Sequence, residues 1–212
     1  MISAPQMLIA FRAACAPTIF ILACFGFPGP LLAGILCAAF ASDVLDGVLA
    51  RRNGTATADL RYADTLVDTA FYVAAAGALW VAVPGAFQDA GLLLVVVVTV
   101  HVSRATFELV KFGRIGSYHM WSSKALGLLL AAAFGYAFSI GQPTPLIVWA
   151  AWTGIANELE GFAVSVILPA WRTDVPSVVH ALSAASAAVS TSASQSLPSG
   201  PPLPSQSARR GP

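Results

Sequence analysis

The sequence predicts an all-α integral membrane protein with six transmembrane helices and both termini in the cytoplasm. Three observations carry that expectation. Of 212 residues, 57% are hydrophobic and only 10% charged, and the mean hydropathy of +0.76 lies far outside the range of a soluble domain. The apolar residues fall into runs of about 20, the length that a bilayer requires of a helix. The eleven Lys and Arg stand at positions 12, 51, 52, 61, 104, 111, 114, 124, 172, 209 and 210. If the loop between Arg51 and Arg61 faces the cytoplasm, all of them fall toward that side. The opposite loops, around Phe27, Phe87 and Gln142, contain none, as the positive-inside rule demands. The net charge of +1 hides this asymmetry, and no nucleic-acid partner is expected.

The first helix is expected over about Met7 to Phe25, too long and too interrupted by Arg12 for a cleaved signal. Pro28 and Pro30 bracket a turn. A second run, from about Leu31 to Ala50, ends at Arg51 and Arg52. The polar loop N-G-T-A-T-A-D leads to a third run, about Arg61 to Val83, closed by Pro84 and Gly85. Runs four to six span about Gly91 to Lys111, Trp121 to Ile140 and Leu146 to Trp171. This divides the chain into a membrane domain over 1–171 and a cytoplasmic segment over 172–212. Within that segment Asp174 and Pro176 can start a short juxtamembrane helix through His180. From about Ser183 the Ser/Ala/Pro-rich composition predicts disorder. Cys15, Cys24 and Cys37 lie in apolar runs without metal-ligand spacing and read as packing residues.

Four carboxylates at helical spacing interrupt this apolar pattern. Asp43 and Asp46 are three apart and Asp64 and Asp68 four apart, so each pair shares a helical face. Antiparallel neighbouring helices would bring the pairs together. An acidic residue costs about 2.5 to 3.5 kcal/mol at mid-membrane, so a cation must sit among them. Basic residues are scarce near the pairs, with only Arg51, Arg52 and Arg61 close in sequence. That scarcity points to a hard divalent ion held by oxygen ligands.

The spacing D-x2-D-G-x2-A-R-x8-G-x3-D-x3-D resembles the signature of the CDP-alcohol phosphotransferase family, the phosphatidyltransferases that make phosphatidylglycerophosphate or phosphatidylinositol phosphate among them. Asp43, Asp46, Gly47, Ala50, Arg51, Asp64 and Asp68 match it; Leu60 stands where the family has glycine. Pro5-Gln6-Met7-Leu8 followed by Arg12 is similar to the family's P-N-x-L-T-x2-R opening, with Gln6 and Ile9 in place of Asn and Thr. The resemblance implies transfer of a phosphatidyl group from CDP-diacylglycerol to a small alcohol, with release of CMP. It implies Asp43, Asp46, Asp64 and Asp68 as ligands of Mg2+ or Mn2+, and Asp68 also as general base. Asp46, Gly47, Ala50, Arg51 and Thr57 are then implied at the nucleotide and donor. A homodimer in the lipid membrane follows from the resemblance alone, as does glycerol 3-phosphate as first acceptor, with inositol phosphate second.

Other polar residues fall on the later helices. His101, Arg104, Glu108 and Lys111 form one stripe, and Arg104, Arg114 and Lys124 are candidates for holding an acceptor phosphate. A contact of Glu158 with Arg104 or His101 would satisfy buried polarity without catalysis. Trp121, Trp149, Trp152 and Trp171 read as interfacial aromatics. Two other readings stand beside the transferase. One is a membrane transporter that binds cations through the same carboxylates; the other is a family member whose nucleotide site is impaired by Leu60.

Overall fold

A computed structural model of the chain describes residues 4–52 and 57–195, apart from the side chains at positions 46, 47, 50–52 and 188–195. Seven helices make up the described residues: α1 Ala4–Cys24, α2 Gly29–Arg52, α3 Ala58–Ala82, α4 Gly91–Phe112, α5 Trp121–Ile140, α6 Leu146–Ile167 and α7 Val178–Gln195. Each of the first six coincides with an expected apolar run. Their ends follow local chemistry. Thr57 caps α3 by accepting the Leu60 N–H at 3.2 Å, and Asp59 lies in the first turn, where the helix dipole favours an anion. Helices α4 and α5 stop at Gly113 and Gly141, both left-handed (φ +71° and +64°) and therefore suited to glycine.

Among the described residues four helices, α1, α3, α4 and α5, are long and apolar enough to cross a membrane. The described apolar part of α2 runs over Gly29–Leu45, up to the side chains at positions 46 and 47 that lie outside the described residues. Helix α6 has the length but carries Asn157, Glu158 and Glu160. Two expectations about the C-terminal part need correction. The sixth helix ends at Ile167 ahead of Pro169, which cannot continue a ladder, and so falls short of Trp171. The chain expected to lose regular structure from about Ser183 runs on as helix to Gln195. Alanine is the strongest helix former, and neither Gly nor Pro interrupts residues 178–195.

Packing places α1 between α2 and α3, so the two motif-bearing helices meet across it. Helix α2 also packs on α5, α5 on α6, and α6 on α4 and α7. The main core runs through Ile19, Leu32, Leu36, Phe71, Leu79, Phe134 and Phe138. Helices α2 and α5 approach so closely that a Cβ on Gly29 would lie 2.0 Å from the Phe138 carbonyl oxygen. A second, smaller core of Tyr118, Met120, Val164, Leu168, Val175 and Ala181 sits at the end of the bundle where α4, α5, α6 and α7 meet. There the α4–α5 loop runs beside the α6–α7 linker, with the Val175 N–H bonded to the Tyr118 carbonyl at 2.8 Å and the Asp174 N–H to the Ser117 carbonyl at 3.3 Å.

Candidate active site

Three of the four motif carboxylates converge. Oxygens of Asp43 from α2 and of Asp64 and Asp68 from α3 lie within 4.8 Å of one another. At their centre stands Arg12 of α1. Its Nη1 is 2.9 Å from Asp64 Oδ1 and 3.2 Å from Asp43 Oδ1, and it also donates to Asp68 Oδ1. The Arg12 side chain is 2% exposed, Asp64 10%, Asp68 29% and Asp43 38%. The cluster is therefore sealed at its base and open on the side of Asp43 and Asp68. Burying charge requires pairing, and α1 supplies the partner from 52 and 56 residues away in sequence. The sequence shows only the demand for a cation; the source is a long-range packing result.

These residues fit a hard divalent ion. The donor set is all carboxylate oxygen, as Mg2+ and Mn2+ prefer. The oxygens lie within 4.8 Å of one another, and the Arg12 guanidinium drawn among them shows that they attract positive charge. Asp46, Gly47, Ala50 and Arg51 belong to the same motif, but their side chains lie outside the described residues. Thr57 uses a lone pair to cap α3, and a hydroxyl so engaged keeps its proton for a ligand. Leu60 lies in the first turn of α3, where its N–H makes that cap.

The polar stripe of α4 meets α6. Arg104 is buried, with Nη1 3.2 Å from Glu158 Oε2 and Nε 3.6 Å from Glu108 Oε1; His101 Nδ1 is 3.0 Å from Glu158 Oε1. The Glu158 contact expected with Arg104 or His101 is thus made with both. Gly161 leaves room for Arg104, since a Cβ there would come within 2.2 Å of Arg104 Nη1 and the guanidinium would have to shift. Lys111 donates to the Ser165 and Val166 carbonyls at 2.8 and 2.9 Å and so closes the C-terminal end of α6. Arg114 is exposed, 3.0 Å from Asp59 and stacked over Trp171, and Lys124 lies over the Trp121 ring. None of these three basic groups touches the carboxylate cluster in the described contacts.

Between the two regions lies the α4–α5 loop. Ser117 Oγ is 2.7 Å from Thr65 Oγ1, 3.0 Å from the Arg61 carbonyl and 3.1 Å from His119 Nε2. Burial, followed by the charge of Arg61, holds the His119 imidazole below its ordinary range and hence neutral. A surface cavity of about 330 Å3 lined by Asp89, Thr144, Trp149 and Trp152 lies among the loops at the opposite end of the bundle. It has no carboxylate cluster and no converging cations, so geometry and charge favour the Asp43, Asp64 and Asp68 end as the site.

An all-helical membrane bundle with cation-gathering carboxylates at one end defines a membrane-embedded acidic centre. The family model for CDP-alcohol phosphatidyltransferase matches residues 2–157, and the chain belongs to that family. Searches of curated proteins and of solved structures return no match. Family and apolar helices together make this an integral membrane protein of phospholipid synthesis that draws on a CDP-alcohol.

Proposed function

We propose that the protein transfers a phosphatidyl group from CDP-diacylglycerol to a small alcohol and releases CMP, with glycerol 3-phosphate as the first acceptor and inositol phosphate as the second. The observation that carries this reading is the convergence of Asp43, Asp64 and Asp68 on a single point within the family's matched span. Asp68, more accessible than Asp64, takes the proton of the acceptor hydroxyl as that oxygen bonds to the phosphorus on the lipid side of the donor. The phosphorus–oxygen bond to CMP breaks, and CMP leaves with the electron pair. Mg2+ or Mn2+, held by Asp43, Asp46, Asp64 and Asp68, supplies neutralising charge to the phosphoryl oxygens when bound.

Gly47, Ala50 and Arg51 serve the nucleotide, as the motif implies, and the free hydroxyl proton of Thr57 is available to the donor. On the acceptor side Arg114 and Lys124 remain candidates for a phosphate. Arg104 is a weaker one, because Glu158 and Glu108 already hold its charge. Six spans, a cytoplasm-facing site and a homodimer complete the reading. They rest on the basic residues gathered at one end and on the family.

The test is product identification. Purified protein in detergent with Mg2+ or Mn2+ is given CDP-diacylglycerol and, in turn, glycerol 3-phosphate, inositol phosphate, inositol and serine, and the lipid formed is read by mass. Phosphatidylglycerophosphate is expected. A product with serine or unphosphorylated inositol alone contradicts the acceptor assignment, and no product with any acceptor contradicts the transfer.

A further inference from the structure

Helix α3 carries Asp64 and Asp68 yet packs on α1 and α5, whereas α4 packs on α6. Besides α5, which packs on both α3 and α6, the α4–α5 loop ties α3 to the α4–α6 pair, and Glu108 anchors that loop. This carboxylate is fully buried at 0% exposure. Its Oε2 accepts the Gly116 N–H at 2.7 Å, and its Oε1 accepts the Ser165 hydroxyl. Ser165 Oγ lies also 2.8 Å from the Gly161 carbonyl and 2.9 Å from the Tyr118 hydroxyl, so the serine ties Glu108 to both α6 and the loop. Burial pushes the Tyr118 phenol up to about 12, so its hydroxyl stays protonated.

The latch leaves no room for variation. A Cβ at Gly116 would stand 2.6 Å from the Tyr118 ring and 2.7 Å from Glu108 Oε1. The neighbouring residue, Ser117, is 1% exposed and turns its hydroxyl to the other side, onto the Arg61 carbonyl and Thr65 Oγ1 of α3. Thr65 precedes Asp68 by three residues and adjoins Asp64. On the far side of the loop the α6–α7 linker holds Ser117 and Tyr118 by two backbone bonds, and Trp171 Nε1 donates to the Ile115 carbonyl at 3.0 Å. Ser117 is thus pinned from both flanks while it holds α3.

We propose that Glu108 and Ser117 are positioning residues for the acidic centre: Glu108 fixes the loop through Gly116, and Ser117 sets the height and rotation of α3 so that Asp64 and Asp68 meet Asp43. Neither touches the reacting atoms. The inference rests on the carboxylates acting as a metal site in the function proposed above, and a buried carboxylate that merely stabilised the fold would leave their geometry unchanged.

The test uses the full chain in detergent and Mn2+ alone as probe, with binding followed by electron paramagnetic resonance and folding by thermal denaturation. Glu108→Met keeps the length of the side chain and removes both acceptor oxygens, so the bonds to the Gly116 N–H and to the Ser165 hydroxyl are lost. Ser117→Ala removes only a hydroxyl and tolerates burial. Each variant is expected to bind Mn2+ about tenfold more weakly, the scale set by outer partners of metal ligands. The double variant is expected to be no weaker than the worse single one, because both act through one path. Native Mn2+ affinity in Ser117→Ala, or fully additive losses in the double variant, overturns the proposal, even if Glu108→Met fails to fold. If the predicted Mn2+ pattern appears while no acceptor is phosphatidylated, the positioning role stands and the proposed transfer fails.

Discussion

Removing Arg12 alone strands three carboxylates around an empty centre. Breaking a buried ion cluster by deleting one partner costs about 3 to 5 kcal/mol, so Arg12→Gln is expected to lower the melting temperature clearly in EDTA. Added Mn2+ should restore part of the loss, since a dication takes over the guanidinium's charge. Unchanged melting in EDTA would show that the carboxylates do not depend on Arg12. The sequence announces this cluster through the spacing of Asp43, Asp46, Asp64 and Asp68, which a periodicity argument can read. Arg12 could be read only as a retained motif residue. Nothing local joins it to Asp64, because that contact exists only once α1 has wedged between α2 and α3. The Glu108–Gly116 bond was hidden for the same reason, since a glycine in a loop carries no sign of the carboxylate that needs its N–H.

At the scale of elements, the helices were the most legible part, as their limits are written in Gly, Pro and basic residues. Helix α5 matches its expected run at both ends, from Trp121 to Ile140. The misses lie after α6, where Ala and Ser dominate. Composition there cannot separate a helix seated on a small apolar core from a free tail. Close approach also makes demands that the sequence does not advertise. Gly29→Ala places a methyl against the Phe138 backbone oxygen, which cannot move aside as a side chain can. It is expected to destabilise by about 1 to 3 kcal/mol, read as a lower denaturation midpoint. Gly34→Ala, where the added Cβ meets nothing within 4 Å, is the control and should melt no lower than the wild type, since Ala is the better helix former.

The α4–α5 loop has its own pH dependence. His119 is held below the usual 6.5 in the folded protein, so as pH falls below that value the unfolded chain takes up a proton that the folded chain resists. Stability is therefore expected to decline from about pH 6.5 downward. His119→Asn should flatten this part of the melting-temperature profile. An identical slope in the variant would assign the acid sensitivity to other groups.

For the whole molecule, hydropathy reads the solvent correctly and overstates what the helices show singly, because four of the six expected spans have the apolar length. Of the other two, α6 carries Asn157, Glu158 and Glu160, and α2 is described without a break only to Leu45. Helix α3 keeps the apolar length even though it carries Asp64 and Asp68. A chain ending at Gln195 is expected to keep its initial transfer rate, since the site and both cores lie before that point. A lost rate would assign the residues beyond it a part in the reaction.

The most direct measurement is acceptor-dependent CMP release from CDP-diacylglycerol by purified wild type and Asp68→Asn, with Mn2+ present and its binding measured in both. The account predicts release by the wild type that requires glycerol 3-phosphate or inositol phosphate, and a fall of at least about a hundredfold in Asp68→Asn, the scale of a lost general base. Undiminished release in the variant, or release indifferent to acceptor, would contradict it.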